Sequence, residues 1–139
     1  MSDMSLLNGK WKLVAVDNAV EYYKAIGTAA EHIAQAERLL TPENNIVQEI
    51  EIVGNNVTLK LSVPGKVLEV RAVIGETTTV PFLDGRILKT VYELDGNKLL
   101  EKQSGGFVSN NTRYLEGNHL IYEQVAETGV SSTRKYIKL

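Results

Sequence analysis

Cysteine is absent from the 139-residue chain, which excludes disulfides and thiolate metal sites and suits a reducing compartment, so a cytoplasmic location is expected. Basic residues are not in excess. Fifteen Lys and Arg stand against 17 Asp and Glu, a formal charge of −2, so the phosphate neutralisation on which nucleic-acid binding rests is missing. No run of 18 apolar residues occurs, and no membrane-spanning helix is expected. The opening MSDMSLLNGKWKL lacks a basic stretch followed by a long apolar one and does not read as a signal peptide. Histidine is scarce: His32 and His119 have no metal-ligand spacing, and neither an HExxH motif nor a Gly-x-Ser-x-Gly elbow is found. Gly54, Gly105 and Gly106 fit hairpin turns rather than a phosphate-cradling loop. These absences point away from an enzyme and predict neither a metal nor a cofactor.

What the chain does have is 43% apolar residues, enough for the core of one domain spanning residues 1–139. From residue 54 onward, turn formers recur with a spacing of about ten residues: GNN at 54, PG at 64, Gly75, LDGR at 83, LDGN at 94, SGG at 104, EGN at 116 and TG at 128. Between them lie segments rich in Val, Ile, Thr and Leu, such as NVTLKLSV, RILKTVYEL and HLIYEQVA, several of them alternating. The pattern predicts a β-meander.

Residues 19–41 differ. They hold good helix formers without proline, and Ile26, Ala29, Ala30, Ile33, Ala36, Leu39 and Leu40 recur at spacings of three and four. Gly27 is placed to stop one helix and Thr28 to cap a second, with Glu31 completing a capping box. One strand, GKWKLVAV, precedes this pair and about nine follow. A sheet that wide curls, and closing it removes its edges. The expected fold is therefore all-β: a ten-stranded up-and-down antiparallel β-barrel, a β-clam, with a helix-turn-helix lid between the first and second strands. So wide a barrel leaves interior space, and closure gives no edge for a partner strand, so a monomer is expected.

The closing segment VSSTRKYIKL places Arg134 and Tyr136 two residues apart, hence on one face of a strand. On residues alone two readings stand: a solvated end strand kept soluble with Lys135 and Lys138, or a guanidinium and a phenol aimed into the barrel. Arg113, in the polar stretch SNNTR, carries the same pair of readings. Alternation places Leu120, Tyr122 and Gln124 together on another strand face, and inward orientation would bring Tyr122 and Gln124 beside the arginines.

Three segments give the chain a likeness beyond these patterns. GKWKLVAVDNAVEYYKAIG, through Gly9, Trp11, Leu13, Asn18, Glu21, Tyr22, Lys24 and Gly27, the terminal STRKYIK, and Arg113 in NNTRYLEGNHLI together resemble the intracellular lipid-binding proteins, which include the fatty-acid-binding and cellular retinoid-binding proteins. The resemblance covers essentially the whole chain. It implies a non-enzymatic carrier of a long-chain fatty acid whose carboxylate is trapped by Arg113, Arg134 and Tyr136, with Tyr122 and Gln124 close by. It also implies that Tyr22, Tyr23 and Ile26 are lid or portal residues and that Trp11 is structural. A guanidinium offers a carboxylate two parallel hydrogen bonds and a phenol adds a third. Retinoids or bile acids present the same carboxylate, and a barrel filled by side chains with a stabilising or interaction role is a further alternative.

Two departures stand out. Ala19 and Val20 replace the usual aromatic and acidic start of the first helix, and Pro64-Gly65 takes the place of a portal phenylalanine. Residues 28–41 carry Glu31 and Glu37 against Arg38. That balance gives no basis for electrostatic docking on anionic membranes, so transfer through solution and no stable membrane insertion are expected.

Overall fold

The computed structural model describes residues 4–82 and 84–139; residues 1–3 and Leu83, the first residue of the LDGR turn, lie outside the described residues. A 3-10 turn, Met4–Leu7, leads into β1 (Gly9–Asp17), followed by α1 (Ala19–Ala25) and α2 (Ala30–Leu39). The remaining strands are β2 (Val47–Val53), β3 (Asn56–Val63), β4 (Lys66–Val73), β5 (Thr77–Pro81), β6 (Ile87–Asp95), β7 (Lys98–Ser104), β8 (Ser109–Glu116), β9 (His119–Ala126) and β10 (Ser131–Lys138). Their spatial order is β4-β3-β2-β1-β10-β9-β8-β7-β6-β5, with antiparallel pairing throughout. The expected ten-stranded up-and-down barrel with two helices after the first strand is what forms.

Closure is nearly complete rather than total. β4 and β5 end the hydrogen-bonded order and do not pair with each other, so two strand edges remain where the sequence predicts none. β5 has five residues and finishes at Pro81, which lacks an N–H to donate. The turns fall where the sequence puts them. Gly54, Gly65, Gly75, Gly85, Gly96, Gly105, Gly117 and Gly129 all have positive φ, the backbone region that a residue without Cβ adopts at low cost.

Burial alternates along β7, β8 and β10, and along β9 except at Ile121, which is buried as well. On β10, Ser132, Arg134 and Tyr136 are buried; on β9, Leu120, Tyr122, Gln124 and Ala126; on β8, Ser109, Asn111 and Arg113; on β7, Leu99, Glu101 and Gln103. One end of the barrel is apolar. Trp11 is buried and its indole N–H donates to the Leu7 carbonyl at 2.9 Å, while Leu7 and Leu13 are fully enclosed. Trp11 is thus part of the core, as its predicted structural role requires.

The lid departs from its sequence reading in two ways. Thr28 does not cap α2; Ala29 precedes the helix and no side chain caps it. The Thr28 hydroxyl instead accepts a 3.1 Å hydrogen bond from Arg86, which removes it from the capping box predicted with Glu31. Ala29 and Ala30 also face solvent, and the buried stripe is Ile33, Ala36 and Leu40. Ala19 and Val20 pack against the core.

Arg86 ties the lid to the β5–β6 turn. Its guanidinium donates to the Ile26 carbonyl at 2.7 Å and to Asp84 at 2.8 Å, and lies 4.7 Å above the Phe107 ring. Charged hydrogen bonds of this kind contribute ~1.5–3 kcal/mol each. Replacing Arg86 with Ala is expected to speed amide exchange in residues 26–33 about tenfold while β1 and β10 keep their protection. Unchanged exchange across the lid, measured by hydrogen–deuterium exchange, would show that the clamp is not restraining it.

Candidate functional site

Register decides which side chains meet inside the barrel. Arg134 on β10 pairs with Tyr122 on β9, and Tyr122 pairs in turn with Arg113 on β8. One step along, Gln124 pairs with Asn111, Asn111 with Glu101, and Glu101 with Tyr92. Side chains opposite each other on one sheet face are near neighbours. Five consecutive strands therefore deliver a compact polar cluster to the interior.

The two arginines flank the Tyr122 ring, with guanidinium carbons 4.0 Å (Arg113) and 5.5 Å (Arg134) from its centroid. Their partners differ sharply. Arg113 donates to Glu101 at 3.0 Å and to Gln48 at 2.6 Å. Arg134 donates to the Tyr23 hydroxyl at 3.1 Å, and among the described residues no carboxylate pairs with it. Both guanidiniums are buried, Arg134 at 5% exposure, and arginine stays protonated in proteins. A buried cation without a counter-charge is costly, so Arg134 is the place where an anion is favoured.

Tyr136 strengthens that assignment. It is fully buried beside Arg134, close enough to act on its charge, yet its hydroxyl makes no hydrogen bond of acceptable geometry. Orphaned buried hydroxyls are uncommon, and a ligand is one way to satisfy them.

Glu101 presents the opposite case, a carboxylate with every position filled. Oε1 accepts from Asn111 at 2.8 Å and from the Tyr122 hydroxyl at 2.5 Å; Oε2 accepts from the Tyr92 hydroxyl at 2.7 Å and from Arg113. Burial by itself would raise its pKa, but the Arg113 guanidinium and the hydrogen bonds from Tyr122, Tyr92 and Asn111 outweigh that and hold it at about 2. Burial, reinforced by the neighbouring Glu101 charge, raises Tyr92 and Tyr122 well above the ordinary phenol range. Both phenols stay protonated and able to donate. A chain from Asn111 through Ser109 reaches the Tyr22 hydroxyl, which lies 2.6 Å from Ser109 Oγ.

Two cavities adjoin this cluster. The inner one, about 90 Å³, is lined by Gln48, Lys60, Tyr92, Glu101, Gln103, Arg113, Tyr122, Gln124 and Arg134, with Leu59, Leu61, Val70 and Phe82 among its apolar walls. The outer one, about 240 Å³, lies between the lid and the β3–β4 and β5–β6 turns, and Tyr23, His32, Leu39, Pro64, Gly65 and Phe82 line it. Phe82 belongs to both. Its ring packs edge-on against Tyr23 and Phe107, with centroids 6.2 Å and 5.1 Å away. Pro64-Gly65 thus borders the opening, and the aromatic side chain there comes from the β5–β6 turn instead.

Most of the residues singled out in the sequence converge here. Arg113, Tyr122, Gln124 and Arg134 line the inner cavity, Tyr23 lines the outer one, and Tyr136 is buried next to Arg134. Tyr22, Ile26 and Tyr136 line neither. Tyr22 is used up in the Ser109 hydrogen bond, and Ile26 is buried beneath the lid with its carbonyl held by Arg86. Arg113 is internally neutralised rather than a free member of an arginine pair. The sequence reading missed Glu101, Gln48 and Phe82. An inward Glu101 has a signal in the alternation Leu99, Glu101, Gln103, but the adjacent Leu99-Leu100 makes either face of β7 look apolar.

The ion pair makes a pH prediction. Glu101 is held below the ordinary carboxylate range, so its contribution to stability is complete above about pH 4.3 and is lost as pH falls toward about 2. Unfolding in urea should show Glu101→Gln destabilised most at neutral pH, with the difference from wild type narrowing as pH approaches 2. A difference that stays constant over that range would contradict the ion-pair account.

No protein-family model matches the chain. Sodium/calcium exchanger regulatory protein 1 of Doryteuthis pealeii is 31% identical over 99 residues, 71% of this chain and 71% of that protein. The liver-type fatty acid-binding protein of Takifugu rubripes is 35% identical over 92 residues, 66% of this chain and 70% of its own length. Among solved structures, the REP1-NXSQ fatty acid transporter has a TM-score of 0.87 at 27% identity, with 97% of each chain covered.

Proposed function

Since the chain belongs to the intracellular lipid-binding protein family, we propose that it is a non-enzymatic carrier of a long-chain fatty acid whose carboxylate is held by Arg134 and Tyr136. The observation that supports this most is the state of Arg134: a buried guanidinium with a phenol for a partner, next to a buried hydroxyl with none. A carboxylate placed there takes two parallel hydrogen bonds from the guanidinium and one from Tyr136, and cancels the buried charge. Tyr122 and Gln124 complete the polar surroundings of the head.

The tail has a direction. The inner cavity, about 90 Å³, is the smaller of the two and is the place for the head group and its first methylenes. The rest of the chain runs past Phe82 into the outer cavity, along Leu39, Leu40 and Val63. Burial contributes roughly 0.8 kcal/mol per methylene, so the tail provides most of the affinity and the arginine provides the preference for an acid. Location in the cytoplasm, a monomeric state and release of cargo through solution belong to the same reading. Among the described residues no helix is long and apolar enough to cross a membrane.

Calorimetric titration of delipidated protein tests the reading. Oleate should bind much more tightly than methyl oleate. Arg134→Gln should weaken oleate by about 30-fold or more, matching the ~2 kcal/mol lower end for truncating a buried charge pair, and leave the ester nearly unaffected. Lys135→Gln, on the outward face of β10, should change neither. Equal loss at both positions would remove the anion trap. Mass spectrometry of co-purified lipid separates a fatty acid from a retinoid or bile acid held by the same groups, and from a barrel that carries no lipid.

A further inference from the structure

We propose that Glu101 is a specificity-determining residue, an internal carboxylate that fills the Arg113 seat and so restricts the cavity to ligands with one negative charge. This rests on the carrier reading above and adds the charge class of the cargo.

The charged residues buried inside the barrel are Arg113, Arg134 and Glu101, two cations and one anion, which leaves one positive charge there for a ligand to neutralise; the enclosed Asp84 carboxylate is already paired with Arg86 at the β5–β6 turn. Arg113 is already neutralised and largely engaged, with two of its three nitrogens hydrogen-bonded. Its guanidinium donates to Glu101 and Gln48 and is covered by the Tyr122 ring. Glu101 in turn accepts four hydrogen bonds, from Arg113, Tyr92, Tyr122 and Asn111. That is the set of donors a ligand carboxylate would use at this seat. The protein supplies the anion itself, from the strand beside Arg113.

The two seats are joined through Tyr122, whose ring is shared by both arginines and whose hydroxyl donates to Glu101. A head group with a second negative charge, placed at Arg134, finds Arg113 already paired with Glu101 and Lys60 at the cavity wall already beside Glu69 at 4.0 Å, and it has the Glu101 carboxylate in the same cluster at the Tyr122 hydroxyl. In a low-dielectric interior the repulsion is weakly screened. Removing the Glu101 charge releases Arg113 and turns the same wall into a site for a dianion.

Palmitate and hexadecyl phosphate share a tail and differ in head charge. At pH 8 the carboxylate carries one negative charge and the phosphate monoester close to two, as its second pKa is about 6. Calorimetric titration of the delipidated full chain should show wild type favouring palmitate. In Glu101→Gln the ratio of the two affinities should move toward hexadecyl phosphate by about tenfold or more, and in the Glu101→Gln/Arg113→Gln double variant it should return to the wild-type value. Circular dichroism checks that each variant is folded. Arg113→Gln alone, which leaves Glu101 charged and unpaired beside the cavity, should weaken palmitate by about tenfold although Arg134 is intact; this arm decides the matter if Glu101→Gln does not fold. An unchanged ratio in folded Glu101→Gln, a shifted ratio in the double variant, or wild-type palmitate binding by Arg113→Gln overturns the proposal. If wild type takes up neither probe, or Arg134→Gln leaves palmitate binding intact, the carrier reading fails and this inference goes with it.

Discussion

A guanidinium enclosed in a barrel and left without a counter-charge is the constraint around which this interior is organised. The desolvation penalty for such a group amounts to several kcal/mol, and two arginines bear it, each handled differently. Arg113 is neutralised from within by Glu101, and Arg134 is offset in part by the Tyr23 hydroxyl and the face of Tyr122. The remaining charge at Arg134, beside the unpartnered hydroxyl of Tyr136, gives the cavity its chemical character. Apolar walls such as Leu59, Leu61 and Val70 stand beside that charge, the combination on which the proposed carriage of a long-tailed acid rests.

Strand register turns that constraint into geometry. Tyr122 stands opposite Arg134 on one side and Arg113 on the other, while Glu101 stands opposite both Asn111 and Tyr92. A slip of one residue in any of these pairings would send the polar groups outward and leave their partners unsatisfied. The cluster therefore specifies the register as well as depending on it. At the other end, Trp11, Leu7 and Leu13 close the barrel without polar demands beyond the indole N–H. The lid and the β5–β6 turn border the outer cavity and are held together through Arg86.

Local signals carried most of the architecture. Glycine-rich turns at regular spacing marked the strands because positive φ is a requirement of each turn by itself, and the order of elements followed from counting. Arg134, Tyr136, Tyr122 and Gln124 were singled out through the family resemblance, since alternation alone left the inward and outward readings of β10 open and β9 carries Leu120 and Ile121 on opposite faces. Glu101 was not, since β7 offers Leu99 and Leu100 on opposite faces and its partner Arg113 lies 12 residues away on a neighbouring strand. Gln48, 65 residues from Arg113, and Phe82, which reaches the entrance from a distant turn, had no local signature. The failed capping box has the same origin. Thr28 and Glu31 satisfy the local rule, but Arg86, 58 residues on, takes the hydroxyl.

The most direct measurement of the central claim is carbon-13 NMR of carboxyl-labelled oleate bound to the protein, followed as pH is lowered. A carboxylate seated on Arg134 is held ionised by the adjacent positive charge, so the account predicts one bound carboxyl resonance that does not titrate in the range of ordinary carboxylic acids. A resonance that titrates as an exposed acid would place the head group at the portal, in water, and would contradict the anion trap.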